Sequence, residues 1–165
     1  MADAQPQDRT LEQRRLLLDQ VESRLQVQFD ELDGLDRKAT TVLAATGVTL
    51  GLVINNAGSF ASSPGAVPWA FYGALVVLAA GLIAGIAALW PRKVQVVPDP
   101  GPFLEQHQTS MPELILGELI STKALAFAEN HPIARTKGDR VRVQMLLLAV
   151  GGSLLVGAYV LERLV

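Results

Sequence analysis

Residues 39–91 read ATTVLAATGVTLGLVINNAGSFASSPGAVPWAFYGALVVLAAGLIAGIAALWP, and no Asp, Glu, Lys or Arg occurs among them. A helix rises ~1.5 Å per residue, so ~20 residues cross the ~30 Å hydrocarbon core of a bilayer. A stretch of about fifty therefore holds two crossings and a turn. A second uncharged run, Val143 to Leu161, has the length of one more. The expected fold is all-α: an integral membrane protein with three transmembrane helices, an amphipathic N-terminal helix and a helical cytoplasmic loop.

The remainder of the chain agrees. Of 165 residues, 50% are hydrophobic and only 18% charged, against ~25% charged in a soluble domain. The deficit is confined to the two runs. Too little chain remains outside them for a large soluble domain. Cysteine is absent, which excludes disulfides, thiolate nucleophiles and Cys-based metal sites. A net charge of -2 gives no sign of a nucleic-acid partner. Met1 to Lys38 is polar and lacks the short apolar core of a signal peptide.

The first span is expected over about 39–57, with Ala39 to Ile54 as its apolar part. It contains Thr40, Thr41, Thr46 and Thr49, whose hydroxyls can bond back to the carbonyl one turn earlier. Gly58-Ser59 and Ser62-Ser63-Pro64-Gly65 read as a turn within an external loop over 58–66. The second span covers 67–90, with Trp69, Tyr72 and Trp90 suited to the two interfaces and Pro91 as a stop. The third covers 143–161, followed by a short external tail over 162–165.

Lys and Arg set the orientation. Six precede the first span, seven lie in the stretch 91–142, one lies in the tail, and the first-to-second loop has none. By the positive-inside rule the N-terminus (1–38) and the 91–142 loop are expected in the cytoplasm, with the C-terminus external. That is the topology of a multi-pass membrane protein. Gly47 and Gly51, Gly81 and Gly85, and Ser153 and Gly157 recur at four-residue spacing and are candidates for close helix contacts, within or between subunits. No Asp, Glu, His, Lys or Arg lies in any span, which argues against a proton relay or charged ion-coupling site.

Leu11 to Leu35 reads as a long amphipathic helix. Leu18, Val21, Leu25, Gln28, Leu32 and Leu35 follow the alternating spacing of a coiled-coil seam. The seam either packs on the chain's own cytoplasmic loop or joins subunits. Gly34 offers a bend. Val94 to Pro102 is rich in Pro and reads as an irregular connector. Ser110-Met-Pro-Glu113 resembles a capping box. A helix should follow to about Asn130, with Leu116, Leu119, Ile120, Lys123 and Phe127 on one face. Pro132 is expected to break or kink it, and a further helix should start near Ile133 and enter the third span.

His107 and His131 stand alone, without a second ligand at helical spacing, so no metal is expected. Asp30, Glu31, Asp33 and Asp36 read as a solvated face rather than a cation site. Arg37 and Lys38 suit lipid headgroups. Arg135, Lys137, Arg140 and Arg142 have two readings: headgroup contact, or an anion site for the phosphate of a small nucleotide. No glycine-rich phosphate loop, catalytic constellation or cofactor motif is present, and no enzymatic activity is expected.

Two segments carry a family resemblance. Leu35-Asp-Arg-Lys-Ala39-Thr-Thr-Val-Leu-Ala-Ala-Thr-Gly47 resembles the entry to the first span in the transmembrane effectors of Pycsar antiphage systems. Asp36, Lys38 and Ala39 form its core. Asn130-His-Pro-Ile-Ala-Arg-Thr-Lys137-Gly138 resembles the stretch leading into their last span, with Asn130 and Lys137 at the motif positions. The layout of helix, two close spans, helical loop and final span is similar too. The resemblance implies a cell-death effector. A cyclic pyrimidine nucleotide (cCMP or cUMP) from a neighbouring cyclase would activate it, as a homo-oligomer, to impair the inner membrane and abort infection. The alternative is a constitutive membrane scaffold or accessory subunit with no nucleotide response.

Overall fold

The computed structural model describes residues 6–91, 94, 105 and 110–164, without the side chains of 6–9 and 164. The expected connector over 94–102, apart from Val94, and His107 lie outside the described residues. No strand occurs among the described residues. Among the described residues, four helices follow in order: α1 (Pro6–Asn55), α2 (Ala57–Ser62), α3 (Val67–Leu89) and α4 (Pro112–Leu164). Three of them, α1, α3 and α4, are long and apolar enough to cross a membrane.

Helix α1 runs without interruption from the polar N-terminal segment into the first apolar run. Gly34 does not end it. A glycine costs a helix interior only ~1 kcal/mol relative to alanine, and the good helix formers Leu35, Arg37, Lys38 and Ala39 follow. The threonines of the apolar half close on their own helix as expected. Thr40, Thr41, Thr46 and Thr49 each donate to the carbonyl four residues back, at 2.8–2.9 Å.

The turn expected at Gly58-Ser59 is instead helical, as α2. Phe60 explains it, because its ring stacks on Phe71 with centroids 5.1 Å apart. The hydroxyls of Ser62 and Ser63 bond back to Gly58 and Ser59. The chain reverses only afterwards, with Gly65 at φ 76°, a conformation open to glycine. Pro68, in the first turn of α3, gives up an N–H that would have no intrahelical partner.

Pro132 neither breaks nor ends a helix, and α4 passes through it over 53 residues. The proline removes one hydrogen bond and costs ~3 kcal/mol. Packing of Ala126 and Asn130, at 6% and 0% exposed, holds the turn before it. The helix starts where the capping pattern placed it. Met111 offers its carbonyl to the N–H of Leu114 and Ile115.

The chain divides into two compact units. The first comprises residues 1–32 and 92–135. Here α1 and α4 run parallel, since Arg14 donates to the Glu113 carbonyl, Glu22 pairs with Lys123, and Gln28 Nε2 donates to the Phe127 carbonyl at 3.3 Å. Leu25, Gln28 and Leu32 are buried in this single chain, at 3–6% exposed. Of the two readings of the seam, the intramolecular one therefore holds for these residues. Opposite them, Lys123 and Ala126 are buried and Phe127 half-buried.

The second unit comprises residues 33–91 and 136–165. Helix α3 runs antiparallel to α4: Gly81 faces Leu147, whereas Leu78, earlier in α3, faces Gly151, later in α4. The buried face of α3 is Val67, Phe71, Ala74, Leu78, Gly81, Gly85 and Ala88, an unbroken alternation of four and three. That is the spacing of helices packed at a shallow angle. In lipid, association rests on close van der Waals packing rather than on the hydrophobic effect. The glycines show where this matters. A methyl on Gly151 would come 2.7 Å from Leu78 Cγ, and one on Gly85 would overlap Gln144. Gly47, Gly51 and Gly157 have no neighbour within 4 Å of where a Cβ would stand, and Ser153 is exposed and bonds back to Ala149. Of the three expected small-residue pairs, only Gly81 and Gly85 serve contact within the chain.

Candidate functional site

One face of α4 carries Lys137, Arg140 and Gln144 at spacings of three and four, so the three side chains form a stripe. Each reaches another helix of the second unit. Lys137 Nζ donates to the Asp36 carboxylate on α1 at 2.6 Å. Arg140 Nη1 donates to the Ala87 carbonyl, near the end of α3, at 2.6 Å. Gln144 Nε2 donates to the Ala39 carbonyl on α1 at 3.4 Å. Below this ladder Ala39, Ala88 and Val141 form a small apolar cluster, flanked by Leu35 and Leu89.

The rungs differ in environment. Asp36 is 42% exposed and Lys137 15% exposed at the side chain, so this pair sits at the edge of the packing. Gln144 is fully buried. Its Oε1 has no hydrogen-bond partner. An acceptor stranded in this way costs ~1–3 kcal/mol. Gly85 provides the space that the amide occupies. The ladder thus binds three helices with polar contacts of which one is incompletely satisfied.

The expected nucleotide contacts do not form one exposed cluster in this unit. Lys137 and Arg140 are engaged by Asp36 and the Ala87 carbonyl, while Arg142 is 81% exposed and lies 3.6 Å from Asp139. Arg135 is exposed and belongs to the first unit. Of the motif positions, Asp36 and Lys137 meet. Ala39 is fully buried and supplies the carbonyl for Gln144. Lys38 is exposed. Asn130 is fully buried in the first unit. His131, beside it, stacks loosely on Phe127, with ring centroids 6.5 Å apart.

Gln144 was missed by sequence reasoning. The signal was available, because it lies one turn beyond Arg140 as an amide within an otherwise apolar run. Its partner, a backbone carbonyl 105 residues away, has no sequence signature.

The two segments joined by the Asp36–Lys137 pair lie inside one continuous match. A family model described as the Pycsar effector protein domain covers residues 20–162. The chain belongs to this family. No curated protein and no solved structure matches it. This Pycsar effector is accordingly a membrane effector of antiphage defence. Its three long apolar helices make the lipid bilayer its immediate partner. The match includes the polar ladder of α4 and the parallel α1–α4 contacts from Glu22 onward, so these belong to the effector domain itself.

Proposed function

We propose that this effector is switched by a cyclic pyrimidine nucleotide, cCMP or cUMP, made by an associated cyclase, and that the switch impairs the inner membrane. It acts without catalysing a reaction, as a homo-oligomer, with the N-terminus and residues 91–142 in the cytoplasm and the C-terminus outside. The observation that supports the reading is the polar ladder at the basic end of the spans. Lys137 and Arg140 carry the charges suited to a cyclic phosphate, and both are spent on contacts that hold α4 to α1 and α3.

The coupling follows from competition. A phosphate arriving at Lys137 displaces Asp36, and one arriving at Arg140 displaces the Ala87 carbonyl. Arg142, exposed on the same helix, adds charge without a competing partner in another helix. Ligand binding then favours the state in which the ladder is open. A ligand moves such an equilibrium only by its difference in affinity for the two states, ~5.5 kcal/mol for a shift from 1:99 to 99:1. The buried Oε1 of Gln144 lowers the energy needed, because opening frees an acceptor that has no partner when closed. With the 18–35 seam occupied largely within the chain, subunits would meet through other faces.

The test uses the full-length chain in liposomes holding a potassium diffusion potential. Addition of cUMP or cCMP should collapse the potential, while cAMP should not. A potential that survives both pyrimidine nucleotides would overturn the proposal.

A further inference from the structure

At the end of the second unit away from the ladder, a groove of about 730 Å³ opens between the last turns of α1, α2 and the last turns of α4. That volume lies within the ~300–1,000 Å³ of small-molecule sites. Its walls are apolar: Leu52, Val53, Phe60, Leu155 and Val156. Thr49 also lines it, but its hydroxyl is bonded to the Ala45 carbonyl. The walls are backed by a packed cluster in which Val53, Phe71 and Leu78 are 0–6% exposed. Away from the rim these walls offer no partners to ordered water, which needs two or more. Left empty, it would forfeit the dispersion contacts of its lining.

The rim is polar and carries both signs of charge. Asn56, Glu162 and Arg163 line it. The Arg163 guanidinium lies over the Tyr159 ring, 5.3 Å from its centroid, an arrangement typical of a membrane–water interface. We infer that the groove holds one acyl chain of a membrane glycerophospholipid with a primary-amine headgroup. The lipid phosphate faces Arg163 and its ammonium faces Glu162. The adjacent opposite charges match a zwitterion. A headgroup with net negative charge leaves Glu162 opposed to it. This inference is independent of the nucleotide reading and concerns the opposite end of the spans.

The experiment transfers the full-length protein from bilayers of equal phosphatidylethanolamine and phosphatidylglycerol into detergent and counts retained lipid by native mass spectrometry. The wild type should keep one phosphatidylethanolamine per chain. Val156→Trp fills the groove and should lower retention about tenfold, whereas Ile83→Trp, on an exposed position of α3, should not. Glu162→Gln should keep a lipid but lose the preference for the amine headgroup, and this variant decides the matter if Val156→Trp does not fold. Retention unchanged in Val156→Trp, or a headgroup preference unchanged in Glu162→Gln, would overturn the assignment. So would a cysteine at 156 that cross-links to a second copy in the bilayer, since a protein would then fill the groove.

Discussion

Lys137 and Asp36 are 101 residues apart in the chain and 2.6 Å apart in space. They join α4 to α1 at the rim of the apolar cluster around Ala39, and they come from the two segments whose sequences resemble Pycsar effectors. Partial exposure of Asp36 places the pair nearer a surface ion pair than a buried one, with a net worth of ~1 kcal/mol. Its importance is positional, because it is one of three polar contacts closing that end of the second unit.

Asp36→Asn should therefore cost little stability and change the resting state. A double-mutant cycle of Asp36→Asn with Lys137→Gln in detergent should give a coupling of ~1 kcal/mol. In cells, Asp36→Asn should lower the nucleotide level needed for growth arrest, by about fivefold for ~1 kcal/mol. Zero coupling together with an unchanged nucleotide threshold would show that the pair holds nothing closed.

Gln144→Leu should act in the opposite direction. It removes the stranded Oε1 and keeps the volume, so thermal stability should rise by the equivalent of ~1 kcal/mol. The nucleotide concentration needed to depolarise liposomes should increase. Gln144→Glu should destabilise strongly, since a carboxylate would replace an amide at 0% exposure. Melting of the purified variants measures both.

Gly85→Val should loosen α3 from α4. Any β-carbon at Gly85 meets Gln144 and comes 2.8 Å from Leu43 Cδ1, an overpacking that costs ~1–3 kcal/mol. Gly47→Val is the control, because nothing lies within 4 Å of that position. Intramolecular cross-linking between cysteines on α3 and α4 should fall for the first variant and persist for the second.

Leu25→Asp should unfold the first unit rather than separate subunits. Leu25 is 4% exposed and its seam is occupied within the chain. Protease should then cut the region 6–32 at least ~10-fold faster, in keeping with a lost core side chain.

Pro132→Ala should stabilise α4. The helix already passes through this position, so alanine adds an N–H donor and relieves the ring clash, up to ~3 kcal/mol. An unchanged melting temperature would mean that the neighbouring turns have absorbed the missing bond.

The back-bonding threonines of α1 and the start of α4 near Met111 were legible because each depends on residues within a turn or two. Pro132 misled for the same reason. Local propensity counts the lost hydrogen bond at 132 but not the burial of Asn130 and Ala126 beside it. Gly58-Ser59 misled likewise, since Phe60 has no reason to be helical until Phe71 lies against it.

By itself, the sequence determined that the chain enters lipid three times, where the apolar runs begin and end, and which ends are basic. Those properties are sums of transfer free energies along the chain and need no knowledge of neighbours. Tertiary structure alone decided which residues of α1 and α4 meet, that the seam around Leu25 is filled from within, and that Asp36 finds Lys137 and Gln144 finds the Ala39 carbonyl. These contacts bridge about a hundred residues. Their energies exist only once the helices are side by side, so no local pattern could announce them.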